Sequence, residues 1–203
     1  MQGIISAVRR NSLAENAGIK AGEKLCAVNG VSVHDIIELS YLVADEQIVL
    51  TIEDSECRQR QIVIEKYTDE ELGLEFEAAV FDGVTTCYNN CVFCFVDQMI
   101  PGMRESLYVR DDDYRLSFLY GNFITLTNMK EEDFEQIIKT HMSPLYISVH
   151  ATRPEVRCQM MNNRFAGELM SKINRLVEAG ISIHTQIVCC PCLLYTSPSP
   201  RDA

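Results

Sequence analysis

The sequence predicts an α/β chain preceded by a smaller, mostly β domain of α+β type. Three observations carry this. Residues 1–78 break into short alternating runs separated by turn residues, with Asn29-Gly30 as a hairpin signal. Residues 79–191 instead alternate short apolar runs with helical periods, as parallel strands covered by helices do. At 203 residues the chain has room for two units, since domains commonly take about 100–200 residues or fewer.

In the first segment, Gly3-Ile4-Ile5-Ser6-Ala7-Val8 reads as a strand. Ser12-Leu13-Ala14-Glu15 reads as a capping box, in which Ser12 and Glu15 satisfy each other's free backbone donors. The helix it opens is brief, because Gly18 stops it and Gly22 follows in a turn. Glu23-Lys24-Leu25-Cys26-Ala27-Val28 alternates as a strand and runs into Asn29-Gly30. A second helix is expected over residues 33–44, burying Ile36, Ile37, Leu39, Tyr41 and Leu42, with further strands over 48–52 and 61–64.

The succession of a strand, Ser12-x-Ala14-Glu15-x-Ala17-Gly18-Ile19 and Gly22-Glu23-x-Leu25-x-x-Val28-Asn29-Gly30 resembles bacterial PDZ domains. The resemblance implies a partly open barrel that binds a peptide, such as a protein C-terminus, as an added strand whose carboxylate rests on backbone amides. Only two residues precede Gly3, so the carboxylate loop is expected later, at Leu72-Gly73-Leu74, in a permuted arrangement. The competing reading makes Gly73 a simple turn between domains.

The run Cys87-Tyr88-Asn89-Asn90-Cys91-Val92-Phe93-Cys94 places three cysteines on one short loop. Their thiolates can converge on a single iron–sulfur cluster and supply three of its usual four ligands. The iron left without a protein ligand is then open for chemistry, as open metal positions are. A zinc site competes, with Cys158, His150 or a late cysteine as fourth ligand, although no second C-x2-C pair stands at a usual zinc spacing. Disulfides are the third reading. The opening Met1-Gln2-Gly3-Ile4-Ile5 lacks the charged start and apolar segment of a signal peptide, which points to the cytoplasm. There, nine cysteines read sooner as metal ligands than as cross-links.

The C-x3-C-x2-C loop, with Phe93 ahead of its third cysteine, resembles the signature of the radical S-adenosylmethionine (SAM) enzymes. The resemblance implies a radical SAM-type (β/α) partial barrel, a [4Fe–4S] cluster on Cys87, Cys91 and Cys94, Phe93 beside the cofactor, and reductive cleavage of SAM. In such barrels the site gathers at the C-terminal ends of the strands.

Ala79-Val80-Phe81 is expected to feed that loop. Asp111, Asp112 and Asp113 cannot all face one ion from neighbouring positions, so helix capping or a solvated turn is expected. Residues 121–128 read as a strand, with Asn128 capping a helix over 129–140 in partnership with Glu131 and with Phe134, Ile137 and Ile138 buried. The resemblance implies that the end of this strand holds the SAM amino group. Where the family has a Gly-Gly-Glu-Pro-like element this chain has Thr125, Thr127 and Asn128, which can accept from an ammonium but bring no carboxylate.

Residues 145–152 are the next strand, with Ser148, His150 and Thr152 sharing a face. Ser148-Val149-His150-Ala151 resembles the Ser-Leu-His-Ala strand of radical SAM RNA methyltransferases, where the serine side lies against SAM. The other reading of His150 is a histidine satisfied by a backbone carbonyl. The helix opening at Pro154 carries Arg157, which is expected either to pair with the SAM carboxylate or to be an exposed helix arginine, and Asn163 beyond it is a candidate for the ribose. Residues 166–179 form the clearest helix, with Leu169, Met170, Ile173, Leu176 and Val177 as one buried stripe and Gly180 at its stop. Residues 181–188 form the last strand, placing His184 and Gln186 on one face, with Gln186 in the cofactor set.

Together these stretches resemble a branch of the superfamily with an N-terminal PDZ-like domain, a radical SAM-like centre and a C-terminal domain called DUF512. Cys94-Phe95-Val96-Asp97-Gln98, Asp111 to Phe118, Leu126-Thr127-Asn128 and His184-Thr185-Gln186-Ile187-Val188 carry that likeness. The group is described as an iron–sulfur oxidoreductase, which implies an electron donor such as a ferredoxin or flavodoxin. Two other functions compete: an iron–sulfur electron carrier whose open iron another cysteine closes, and a peptide-binding PDZ module beside an inactive barrel fragment. Residues 192–203 depart from the family pattern and resemble translated adapter read-through. They are expected to pack against nothing, leaving four barrel strands of six and no DUF512 domain.

Net charge is −11 and the apolar share 47%. Residues 1–78 carry 7 Lys+Arg against 15 Asp+Glu, and residues 79–203 carry 11 against 14, so the acidity sits mainly in the first segment. Non-specific nucleic-acid binding runs on basic contacts to phosphate, and this balance argues against it. Nor is there an uninterrupted apolar run of about 18 residues, so no membrane span is expected.

Overall fold

The computed structural model describes residues 3–190 and 193, and within it the chain divides into two compact units, Met1–Gly83 and Val84–Ala203. Except for Leu193, the expectation for residues 192–203 lies outside the described residues.

The first unit is wound from antiparallel strands because its sequence alternates with period two. In β4 (Gln47–Glu53) Ile48, Leu50 and Ile52 point inward and are fully buried, while the residues between them are partly exposed. β4 pairs along its whole length with β5 (Gln59–Glu65) and on its other side with β2 (Lys24–Val28). β1 (Gly3–Val8) pairs with β2 and with β6 (Leu74–Phe76), giving the strand order β5-β4-β2-β1-β6. Asn29 (φ 51°) and Gly30 (φ 78°) both take the left-handed conformation that a two-residue hairpin turn demands, and β3 (Val31–Ser32) folds back on β2 with Val28 opposite Val31.

Two short helices close this core. α1 (Leu13–Asn16) is capped by Ser12, whose hydroxyl accepts from the Glu15 N–H at 3.2 Å. The reciprocal half of the expected capping box goes one residue further back, since the Glu15 carboxylate accepts from the Asn11 N–H at 2.6 Å. α2 (Ile36–Leu42) starts later than the expected helix because Asp35 caps it, accepting from the Glu38 N–H at 2.7 Å. Tyr41, expected in the core, is exposed.

Ala79-Val80-Phe81, read from sequence as the entry to the second segment, belongs to the first unit. Ile36 and Phe81 N–H groups bond to the Ala79 and His34 carbonyls, Val80 bridges Asp35, and Phe81 packs into the first core. The observed division after Gly83 therefore lies five residues past the expected start at 79.

The second unit holds α3 (Tyr114–Tyr120), α4 (Glu131–Thr140), β7 (Leu145–Ser148), α5 (Pro154–Met161), α6 (Leu169–Glu178) and β8 (Ile183–Gln186). β7 and β8 run parallel, Leu145 opposite Ile183 and Ser148 opposite Gln186, and Ile124 makes one parallel bridge to Ile147. Around that bridge, residues 121–128 make no continuous strand, so two strands and a bridged segment stand where more strands were expected. α4 is not capped by Asn128; Asp133 accepts from the Lys130 N–H at 2.7 Å, which sets the start two residues later. In α6 the buried stripe is narrower than expected. Leu169 and Leu176 are buried, but Met170 and Val177 are rotated about 100° off that line and are 41% and 55% exposed. Among the described residues, no helix is long and apolar enough to cross a membrane.

Candidate functional site

The cysteine loop has no regular secondary structure, so its backbone donors must find partners elsewhere. At its root Thr86 bridges Asp111, and the Cys87 and Asp112 N–H groups bond to the Arg110 and Thr85 carbonyls at 2.8 Å each. At its middle the Asn90 and Val92 N–H groups bond to the carbonyls of Met161 and Met160 at 3.2 and 3.0 Å. Those carbonyls end α5 and have no partner within the helix, so loop and helix end satisfy each other. The Cys94 N–H turns back to the Cys91 carbonyl, and Asp97 forms an ion pair with Arg110.

Cys87, Cys91 and Cys94 are all free and half-buried. Burial, and then the neighbouring sulfurs of Cys87 and Cys94, push the Cys91 thiol up to about 11. Burial likewise raises the Cys87 thiol, while hydrogen bonds from the Asn89 backbone and side chain oppose the rise. At neutral pH, with nothing bound, the Cys87 and Cys91 thiols keep their protons.

Asn89 joins this loop to the strand ends. It is 3% exposed, and its amide Nδ2 lies 3.2 Å from Cys87 Sγ, 3.1 Å from Thr125 Oγ1 and 2.9 Å from Thr127 Oγ1. Its Oδ1 accepts from Asn163 Nδ2 at 2.7 Å. Sequence reasoning passed over Asn89, and its place inside the cysteine loop was the available signal.

The three aspartates face three ways. Asp111 accepts from Asn122, and buried Asp112 accepts from the Thr125 N–H and hydroxyl at 2.5 and 2.6 Å. Asp113 caps α3 and forms a buried pair with Arg115 at 2.7 Å. Burial raises the Asp112 carboxyl above its ordinary range against the pull of the Thr125 bonds. Burial also pushes Asp113 up, but the Arg115 guanidinium together with the Thr85 and Arg115 N–H groups outweighs it and holds Asp113 low.

Thr125 and Thr127 stand with Asn89 beside Cys87, their hydroxyls 2.8 Å apart. Asn128 Nδ2 donates to the Thr86 carbonyl at 3.1 Å, and its Oδ1 is buried without a hydrogen-bond partner among the described residues. Ser148 is buried at the end of β7, and its carbonyl accepts from Arg157. His150 does not continue the alternation of β7, because its backbone is left-handed (φ 60°). Its ring meets Phe93 edge-on at 4.5 Å, and its Nδ1 accepts from the Val188 N–H at 3.4 Å, whereas one of its two sequence readings had it bonded to a backbone carbonyl. Burial, and then the Arg157 charge, pull His150 down to about 4.

Arg157 is 2% exposed, so it is not a surface arginine. Its guanidinium donates to the carbonyls of Val149, Ala166, Thr125 and Ser148 at 2.5–2.9 Å, tying three chain segments together. Burial lowers it to about 10, and it remains a cation at neutral pH. Asn163 is likewise engaged: Nδ2 on Asn89, Oδ1 on the Phe165 N–H. Gln186 closes β8 opposite Ser148 with an exposed side chain, and its carbonyl accepts from the Val149 and His150 N–H groups.

These residues fit an iron–sulfur cluster. The donors are soft, free sulfurs on one anchored loop, with an amide donor on one of them. Among the described residues no group of three or more His, Cys, Asp and Glu side chains surrounds one point as a single ion would require. A cluster makes no such demand, since each cysteine takes a different iron.

In the first unit, Leu72 is buried and its carbonyl accepts from the Ala14 N–H, while the Gly73 carbonyl accepts from the Arg9 N–H at 2.8 Å. Leu74 opens β6 opposite Val8. Gly73 has φ +77°, and a Cβ there would stand 2.4 Å from Ser12 Cβ. Leu72-Gly73-Leu74 is therefore pressed against the cap of α1.

Comparison with protein families finds two matches. Residues 66–194 match the model of a radical SAM-like domain and residues 4–54 that of a PDZ domain. Comparison with curated proteins finds no match.

Proposed function

Because this chain belongs to the radical SAM-like family and carries a PDZ domain, we propose that Cys87, Cys91 and Cys94 hold a [4Fe–4S] cluster for reductive cleavage of S-adenosylmethionine. What supports this reading is the placement of three free, half-buried cysteines on one loop anchored at its root and its middle. Held by Cys87, Cys91 and Cys94, such a cluster would supply one-electron chemistry for reductive cleavage of the sulfonium bond of SAM.

The chain's own residues then have distinct tasks. Cys87 and Cys91 give up their protons on loading, so cluster uptake releases protons and weakens as pH falls. Thr125, Thr127 and the open acceptor Asn128 Oδ1 offer oxygens for the SAM ammonium. Phe93 and neutral His150 form an apolar wall that limits water. Ser148, Asn163 and Gln186 complete the proposed cofactor rim. Arg157 acts from beneath, fixing the carbonyls of Thr125 and Ser148 so that the polar strand ends keep their spacing. The partial (β/α) barrel and a ferredoxin-like or flavodoxin-like donor belong to the same proposal.

Iron and sulfide analysis after anaerobic reconstitution tests it. Wild type should bind about four irons, with a brown absorbance that added SAM perturbs, and Cys91→Ala should lose both. Stoichiometric zinc in place of iron would sink the reading. An unchanged spectrum on adding SAM would point to an electron carrier.

The PDZ domain supports a second activity, binding of a peptide or protein C-terminus. Leu72-Gly73-Leu74 is the proposed carboxylate loop, and titration of the full chain with C-terminal peptides, free or amidated, tests it. Equal binding of both forms would remove the carboxylate from the proposal.

A further inference from the structure

The orientation of the Asn89 amide is settled by a chain of hydrogen bonds that ends on a backbone donor. The Phe165 N–H can only donate, and it points at Asn163 Oδ1 at 2.9 Å. That leaves Asn163 Nδ2 to donate to Asn89, whose facing atom 2.7 Å away must therefore be the acceptor Oδ1. Asn89 Nδ2 is then held toward Cys87 Sγ at 3.2 Å. The Thr125 hydroxyl, which donates to Asp112 Oδ2 at 2.6 Å, presents lone pairs to the same amide at 3.1 Å, and the Thr127 hydroxyl does so at 2.9 Å. The two threonines therefore share one of its two hydrogens, and the other faces Cys87. Asn89 is buried, so no solvent competes for these bonds.

We infer that Asn89, locked by Asn163, is a positioning residue that raises the reduction potential of a cluster on Cys87, an inference that rests on the cluster reading above. A reduced cluster carries one more negative charge than an oxidised one, and much of that density resides on its sulfurs. A buried N–H dipole aimed at a ligating sulfur stabilises the reduced form more, and hydrogen bonds to sulfur are among the protein's levers on cluster potential. The electron enters from an external one-electron reductant, and the Asn89 amide gains and loses no proton. The loop alone does not hold this donor. Asn163 and Phe165 lie beyond the end of α5, so the segment that closes this helix also sets the direction of the amide at the metal site.

Full-length wild type, Asn89→Ala and Asn163→Ala, reconstituted anaerobically with ferrous iron and sulfide, are titrated with a graded reductant while the cluster spectrum is followed. Both substitutions are charge-neutral, and neither removes a cysteine. The expected result is wild-type iron content with a more negative midpoint potential in each variant, the larger shift in Asn89→Ala. A loss of packing alone would lower thermal stability without moving the potential in this order. The relay is overturned if either variant, loaded to the wild-type level, has a potential equal to or above that of wild type. It is equally overturned if either variant stays folded by circular dichroism yet fails to load. Should wild type itself take up no iron, the cluster reading fails first, a result distinguishable from loaded variants whose potentials do not move.

Discussion

His150 shows how a single position turns burial into pH dependence. It is 5% exposed, lies against Phe93 and is held down to about 4, whereas in an unfolded chain it titrates near 6.5. The unfolded chain therefore takes up the proton first as pH falls. The stability that comes from keeping His150 neutral is complete above about 6.5, fades between about 6.5 and 4, and is gone below. The window corresponds to roughly 3 kcal/mol at about 1.4 kcal/mol per pH unit. The thermal midpoint of wild type should fall through this range more steeply than that of His150→Gln, and parallel curves would refute the assignment. The residue's identity could be read from the sequence but its charge state could not, because the ring is buried against Phe93, 57 positions away, and repelled by the Arg157 cation.

Among the elements, the local signals that survived are those whose partners lie within a few residues. The Asn29-Gly30 turn, the Ser12 cap and the period-two burial of β4 all formed where the sequence put them. Elements whose limits depend on distant partners shifted. Residues 121–128 carry strand-like composition, yet beyond the Ile124 bridge their groups turn to Asp112, Thr86 and Asn89. The α4 cap moved from Asn128 to Lys130 and Asp133 because the Asn128 amide is drawn to the Thr86 carbonyl. Gly73 belongs to this scale. Its φ of +77° and the 2.4 Å gap to Ser12 Cβ mean that Gly73→Ala combines a left-handed alanine with an overpacked contact beside the cap of α1. A loss of roughly 3 kcal/mol is expected from the two effects, measured by denaturant unfolding. A change under about 0.5 kcal/mol, the ordinary range for a neutral surface substitution, would show that β6 moves freely away from Ser12.

At the scale of the whole molecule, the acidic balance and the paired alternation of structure act together. Net charge is −11, and in both units basic residues are tied to acids, as Arg60 is to Glu23 and Arg175 to Glu131. A polyanion should find little to bind. The chain is expected to pass unretained over immobilised heparin at about 0.15 M salt, where the screening length is about 8 Å. Retention that elutes with a steep salt dependence would reveal a basic surface that net charge hides.

The sequence by itself determined the two-unit organisation, the antiparallel character of the first unit and the three cysteines at cluster spacing. Each of these is written in neighbouring residues, where period, turn chemistry and spacing act directly. The tertiary structure alone decided which polar groups attend those cysteines. Asn89 reaches Cys87 in the direction it does because Asn163 and Phe165 hold it, and Arg157 is buried because four carbonyls from three separate segments converge on it. Contacts of that kind join residues up to 74 positions apart, and no local pattern encodes them, because a side chain's partners are set by where the packed elements bring it.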